Sequence, residues 1–187
     1  MSIELRAYVD TPSTAALPKS VDARKLVQRE QHLVGILPQE SLERLCAAVE
    51  SIDGNVRADL EFGRDLQRHQ VVSGKLNCSV QLQCQRCLQP VAEEVRAEFR
   101  WGIVWSEEQG NALPRDLDPV IQDGDELNLY QVLEDEILLN LPMVAYHEEE
   151  CIARDRFHCG EETDEAGEQR ENPFKVLEQL KGSSNKS

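Results

Sequence analysis

Through the middle of the chain, apolar and polar residues alternate with a period of two. Val56, Ala58, Leu60 and Phe62 share one parity, with Arg57, Asp59 and Glu61 on the other. Val72, Gly74, Leu76, Cys78, Val80, Leu82 and Cys84 do the same. So do Val91, Val95, Ala97, Phe99, Trp101, Ile103 and Trp105, with Glu93 the charged exception. Successive strand side chains point to opposite faces, so the pattern predicts three half-buried antiparallel strands in a meander. The segment GRDLQR forms its first turn and CQRCLQP, Cys84 to Pro90, its second.

Other periods flank this block. Residues 3–9 alternate weakly, as a short edge strand; residues 21–30 suit a short helix and HLVGIL (residues 32–37) a strand. Pro38 opens a helix on which Leu42, Leu45, Cys46 and Val49 form one apolar face, which makes Cys46 a core residue. Residues 106–126 read as a long polar loop containing Val120 and Ile121. Asn128 then caps a helix carrying Leu129, Val132, Leu133 and Ile137 and ended by Pro142, with Gln131 completing a capping box. Glu134, Asp135 and Glu136 crowd one turn of that helix and read as a solvated face. The prediction is an α+β fold: an antiparallel meander sheet with two or three flanking helices and a CxxC knuckle. Residues 1–159 form one domain, 160–171 a flexible acidic linker, and 172–187 a short docking helix and tail. Asn172 and Pro173 start that helix, and Phe174 and Leu177 form its apolar side.

Charge adds an asymmetry. Of a net −15, residues 1–100 contribute −1 (13 basic, 14 acidic) and residues 101–187 contribute −14 (7 basic, 21 acidic). Phosphate backbones are bound through Lys and Arg, so the C-terminal half repels nucleic acid and attracts basic proteins. No N-terminal stretch pairs a basic start with an apolar run, and the most apolar segment, ILLNLPMVAY, is too short and interrupted to span a bilayer. A cytoplasmic protein is expected, in which six cysteines are core residues, metal ligands or reactive thiols rather than a disulfide framework.

Cys84 and Cys87 leave three readings: a redox motif, a metal knuckle, or a turn with two incidental thiols held by sheet packing. A thioredoxin-like motif needs a helix N-terminus after the cysteines, whereas here a proline and a strand follow. A turn between antiparallel strands instead aims two thiolates at one point, as tetrahedral zinc requires. Two further ligands are offered by HEEECIARDRFHC: His147 and Cys151, with three residues between them, and His158 and Cys159 in reserve, of which adjacency allows at most one. Cys78 shares the core parity and is read as packing. Catalytic patterns are missing. There is no His-Glu-x-x-His, no phosphate-binding glycine loop and no Gly-x-Ser-x-Gly. His147-x-Glu149 stands after the CxxC, the wrong order for a nucleobase deaminase. His32 and His69 have no obvious acidic partner.

The pieces CQRCLQPV, EDEILLNLPMVAYHEEEC and NPFKVLEQLK, in that order and spacing, resemble the bacterial YceD family of large ribosomal RNA subunit accumulation proteins, from about residue 20 to the end. The resemblance implies a cytoplasmic, non-enzymatic factor in the synthesis, processing or stability of 23S ribosomal RNA. It matches Cys84, Cys87 and Cys151 to cysteine positions and His147 to a position occupied by Cys or His, which supports a Cys3His zinc site. Action through a basic ribosomal or assembly protein is favoured over direct RNA contact through Arg57, Arg64, Arg68, Arg86, Arg96 and Arg100, because Glu61, Glu94 and Glu98 interrupt that face. The alternatives are a zinc-dependent rRNA-processing enzyme, with Glu148 or Glu149 as general base, and a cytosolic thiol redox protein.

Overall fold

Alternation carried over fourteen or fifteen residues gives three long strands: β3 (Ser51–Arg64), β4 (Gln70–Gln83) and β5 (Pro90–Val104). They are seen in a computed structural model that describes residues 15–153. Residues 3–9, the linker, the terminal helix, His158 and Cys159 lie outside the described residues. Preceding the long strands are β1 (Ser20–Val21), α1 (Ala23–Gln28), β2 (His32–Leu37), a 3-10 turn (Gln39–Ser41) and α2 (Glu43–Ala48). Following them are α3 (Glu107–Asn111), β6 (Asp118–Ile121), β7 (Leu127–Asn128) and α4 (Leu129–Leu139). The fold is α+β around a mostly antiparallel five-stranded sheet of order β2-β3-β4-β5-β6; β1 and β7 form a separate small pair.

Register follows the hydrophobic parity. Ala58, Leu76 and Ala97 stand in one row across β3, β4 and β5, and Phe62, Val72 and Trp101 in another. Leu60, Val72, Val80 and Trp101 are essentially inaccessible, each fully buried side chain contributing about 1.5–3 kcal/mol. The core lies between this sheet face and the helices: α1 packs on β3 and β4, and α4 on β5 and α2. At one row the sheet needs a missing side chain. Gly74 stands between Leu60 and Phe99, and a Cβ there would lie 2.4 Å from the Phe99 ring and 2.8 Å from Leu60 Cδ2. The vacancy lets Phe99 lie flat and stack on Trp101, with centroids 4.1 Å apart and planes 13° from parallel. Gly74→Ala is expected to cost about 1–3 kcal/mol through overpacking. Thermal melts beside Gly63→Ala, where a Cβ meets nothing within 4 Å, check this. Equal losses would refute it.

Three expectations change. The 106–126 loop contains α3 and β6, and β6 pairs with β5 in parallel, Trp101 to Asp118 through Val104 to Ile121. A four-residue strand with Pro119 in it is too short to show alternation. The α3 turn and Leu113 after it also break the parity of β5: Gly102 and Val104 are buried on the second face, and Leu113 Cδ1 sits 2.5 Å from a Cβ built on Gly102. Cys46 is exposed, not core: α2 spans six residues and Val49 is already extended, so Leu42, Leu45 and Val49 are buried while the Cys46 thiol faces the Gln39 carbonyl at 3.6 Å. Finally, the carboxylates of α4 are not a solvated face. Glu134 is buried, Asp135 pairs with Arg44, and Glu136 accepts from Trp101 Nε1 at 3.2 Å. The Asn128 side chain does accept from the Gln131 amide at the start of α4.

Candidate metal centre

The knuckle is a tight turn that its own backbone closes. The Cys84 N–H donates to Gln89 O and the Leu88 N–H to Cys84 O, both at 2.9 Å, and Leu88 takes a positive φ of 60° to make the reversal. Cys84, one residue past β4, is fully buried; Cys87 is half-buried. After α4 the chain returns to this turn. The Gln85 N–H donates to Ala145 O at 2.9 Å. Arg86 donates to the carbonyls of His147 and Glu149, and its guanidinium lies 5.1 Å from the centre of the Tyr146 ring. Ala145 joins Cys84 and Val91 in a small apolar cluster separate from the main core, with Leu82, Cys87 and Cys151 at its edge.

The docking brings together the four residues singled out by spacing. One ligand atom each from Cys84, Cys87, His147 and Cys151 lies within 4.8 Å of every other. Cys84 Sγ is 3.7 Å from Cys151 Sγ, and Cys87 Sγ is 3.4 Å from His147 Nδ1. The edges of a tetrahedral zinc site follow from its bond lengths, about 3.8 Å between sulfurs and about 3.6 Å between sulfur and nitrogen. The observed separations match both, so the donor set fits zinc. The far side of the imidazole is fixed as well. His147 Nε2 stands 3.0 Å from Pro90 O, and a carbonyl only accepts, so Nε2 carries the proton and the Nδ1 lone pair faces the sulfurs.

The electrostatics favour one thiolate even without a cation. Burial opposes ionisation of Cys84, but the backbone N–H groups of Cys87, His147 and Arg86 and the Cys87 thiol surround its sulfur and bring it down to about 5. Cys151 is pushed up by burial and by the Cys87 and Cys84 thiols beside it, with Arg86 acting in the opposite sense. Cys78, on the core face of β4, is pushed up to about 11 by burial alone. A cation among the four would replace shared protons with a shared positive charge.

Some partners were not legible locally. Arg86, one of the six arginines offered for RNA contact, turns onto the 146–149 segment. His32 pairs with Asp59 across β2 and β3, and His69 with Asp65 within the β3–β4 turn at 2.7 Å, so both histidines have acidic partners. The spacing of Asp65 and His69 was a signal that could have found the second pair. The rest of those arginines are also engaged in part: Arg96 is held by Glu94 and Arg100 by Asp116, each at 2.7 Å. Arg57, Arg64 and Arg68 have no such partner among the described residues.

Residues 72–181 match the family described as Large ribosomal RNA subunit accumulation protein YceD, a span that contains all four clustered residues. The Large ribosomal RNA subunit accumulation protein YceD of Haemophilus influenzae is 33% identical over 167 residues, covering 88% of this chain and 96% of the relative. No solved structure matches. With more than half its length in the family match and a relative aligned almost end to end, the chain belongs to the YceD family.

Proposed function

We propose that this chain is a non-enzymatic ribosome-biogenesis factor of the cytoplasm that supports accumulation of 23S ribosomal RNA through a basic protein partner. The observation that carries this reading is the end-to-end relative named for large-subunit RNA accumulation. The domain is held in shape by one structural zinc on Cys84, Cys87, His147 and Cys151. The domain, acidic linker and terminal helix divide at about residues 159 and 171.

The donor set supports a structural metal over a catalytic one. A Cys3His set already supplies the four ligands of a closed tetrahedral site, leaving no position for water or substrate. The Pro90 carbonyl holds the remaining imidazole nitrogen and so orients the ring toward the sulfurs. A protein partner is supported over RNA because Arg86, Arg96 and Arg100 are committed to intramolecular contacts and most of the net charge is acidic.

The test is complementation of a strain lacking the gene. The wild-type chain should restore the ratio of large- to small-subunit ribosomal RNA, and Glu148→Gln and Glu149→Gln should restore it equally well. Loss of restoration in those two variants, with purified protein cleaving precursor 23S RNA, would establish the enzymatic reading instead. Failure of the wild-type chain would overturn the proposal.

A further inference from the structure

We infer that the cleft between α4 and β6 is the docking site for a lysine- and arginine-rich amphipathic segment of a protein partner. This rests on the proposed basic partner and says where and how it binds. The cleft holds about 440 Å³. One wall is the face of α4 that carries Asn128, Val132, Asp135 and Leu139, spaced so that they line up along the helix. The other wall is β6, which ends the sheet, and Trp101 and Leu127 also line the cleft. An eleven-residue helix is about 16 Å long, enough to seat three turns of a second helix beside it.

Two chemistries meet in this cleft. Leu139 is 80% exposed and Ile121 47% exposed, with the half-buried Val120 and Val132 between the walls. Apolar side chains gathered in a cleft and rimmed by polar groups mark a binding surface. Every ionisable residue lining it is a carboxylate: Asp118, Asp123, Glu126, Asp135 and Glu136. Asp135 is held by Arg44 and Glu136 by Trp101 and Asn140. Asp118, Asp123 and Glu126 have no cationic partner among the described residues. With no lysine or arginine in the lining, a phosphate backbone meets only repulsion. A helix with leucines on one side and lysines on its flanks satisfies both the apolar walls and the acidic rim.

The experiment uses the full chain and a fluorescein-labelled Leu/Lys amphipathic helical peptide, followed by anisotropy at graded salt. Comparison peptides keep the leucines with Glu for Lys, or keep the lysines with Ser for Leu. Saturable, salt-weakened binding of the Leu/Lys peptide alone is expected. Combined Asp118→Asn, Asp123→Asn and Glu126→Gln should weaken it about tenfold. Leu139→Ser should weaken it without changing the salt dependence. Combined Glu61→Gln, Glu94→Gln and Glu98→Gln, the same charge change on the strands, should leave it unaltered. Equal loss in that control, or equal binding of the Lys/Ser peptide, would reduce the effect to bulk charge and overturn the proposal. Binding that appears only after truncation at Glu171 would make the chain's own tail the occupant. Self-association abolished by Leu139→Ser would make it a second copy. Either result overturns the partner. Complementation separates the two levels. Cleft variants that lose the peptide yet restore ribosomal RNA sink the cleft's role in cells, whereas a wild-type chain that fails to restore it sinks the functional reading.

Discussion

Cys84→Ser is expected to abolish zinc binding and lower the melting temperature by roughly 8–16 °C. The protein purified without a histidine tag should carry about one zinc per chain, and the variant none. The size of the shift comes from the loop that the metal closes. Cys84 and Cys151 are 67 residues apart. Cross-linking a loop of that length removes about 4 kcal/mol of chain entropy from the unfolded state. For a protein of this size each kcal/mol moves the midpoint by about 2–4 °C. The main core lies elsewhere, so the domain should still fold, unlike a zinc finger. Hydrogen exchange should rise first in the 145–151 segment, which would lose the metal tether and keep contacts such as the Gln85, Arg86 and Pro90 hydrogen bonds and the Ala145 packing. Cys78→Ser is the matched control. Its thiol is as buried as a core residue and far from ionising, so it should lose packing energy and keep its zinc. Metal-free wild-type protein, with Cys84→Ser melting at the same temperature, would show that the four residues are merely packed together.

The meeting of Cys84, Cys87, His147 and Cys151 was readable because each half of the cluster is local. Alternation fixed the strands on either side of Cys84 and Cys87, and the short spacing of His147 and Cys151 marked them as a pair. Only the meeting of the halves needed the fold, and the segment after α4 had few other places to go once Pro142 ended helical periodicity. Features depending on partners far along the chain were not readable in this way. Nothing near Arg86 says that it will cover carbonyls sixty residues on. Nothing in residues 118–121 announces a parallel strand, since a run of four with a proline fits a loop equally well. Cys46 misled for a related reason. Helical spacing was real, but the helix it implied ends at Ala48, and burial is decided by what packs above it. The acidic turn of α4 is the clearest case, because three adjacent carboxylates look alike in a sequence and have three different fates in the structure.

Glu134→Ala is expected to cost about 3 kcal/mol, far more than the same change at its neighbour. α2 begins at Glu43 with Leu42 as its cap residue, and a leucine side chain cannot accept a hydrogen bond. Its first N–H groups would be left unpaired beside the core. Glu134, 90 residues away and 5% exposed, supplies the missing acceptor. Its Oε1 accepts from the Arg44 N–H at 2.8 Å and the Leu45 N–H at 3.0 Å, and its Oε2 accepts from Arg44 Nε at 2.9 Å. Negative charge at a helix N-terminus is favoured as well, so one side chain caps α2, pairs a cation and joins two helices. Alanine removes all three contacts and leaves two donors in a dry place, which should lower the melting temperature by roughly 6–12 °C. Glu134→Gln keeps an acceptor oxygen and should cost less than half as much. Asp135→Ala breaks only an exposed pair with the same arginine and should cost under about 1 kcal/mol. Zinc content should be unchanged in all three, since Glu134 lies within α4 and none of its hydrogen bonds reaches Cys84, Cys87, His147 or Cys151. A ranking in which Asp135→Ala equals or exceeds Glu134→Ala would mean that the cap contributes nothing beyond a surface ion pair.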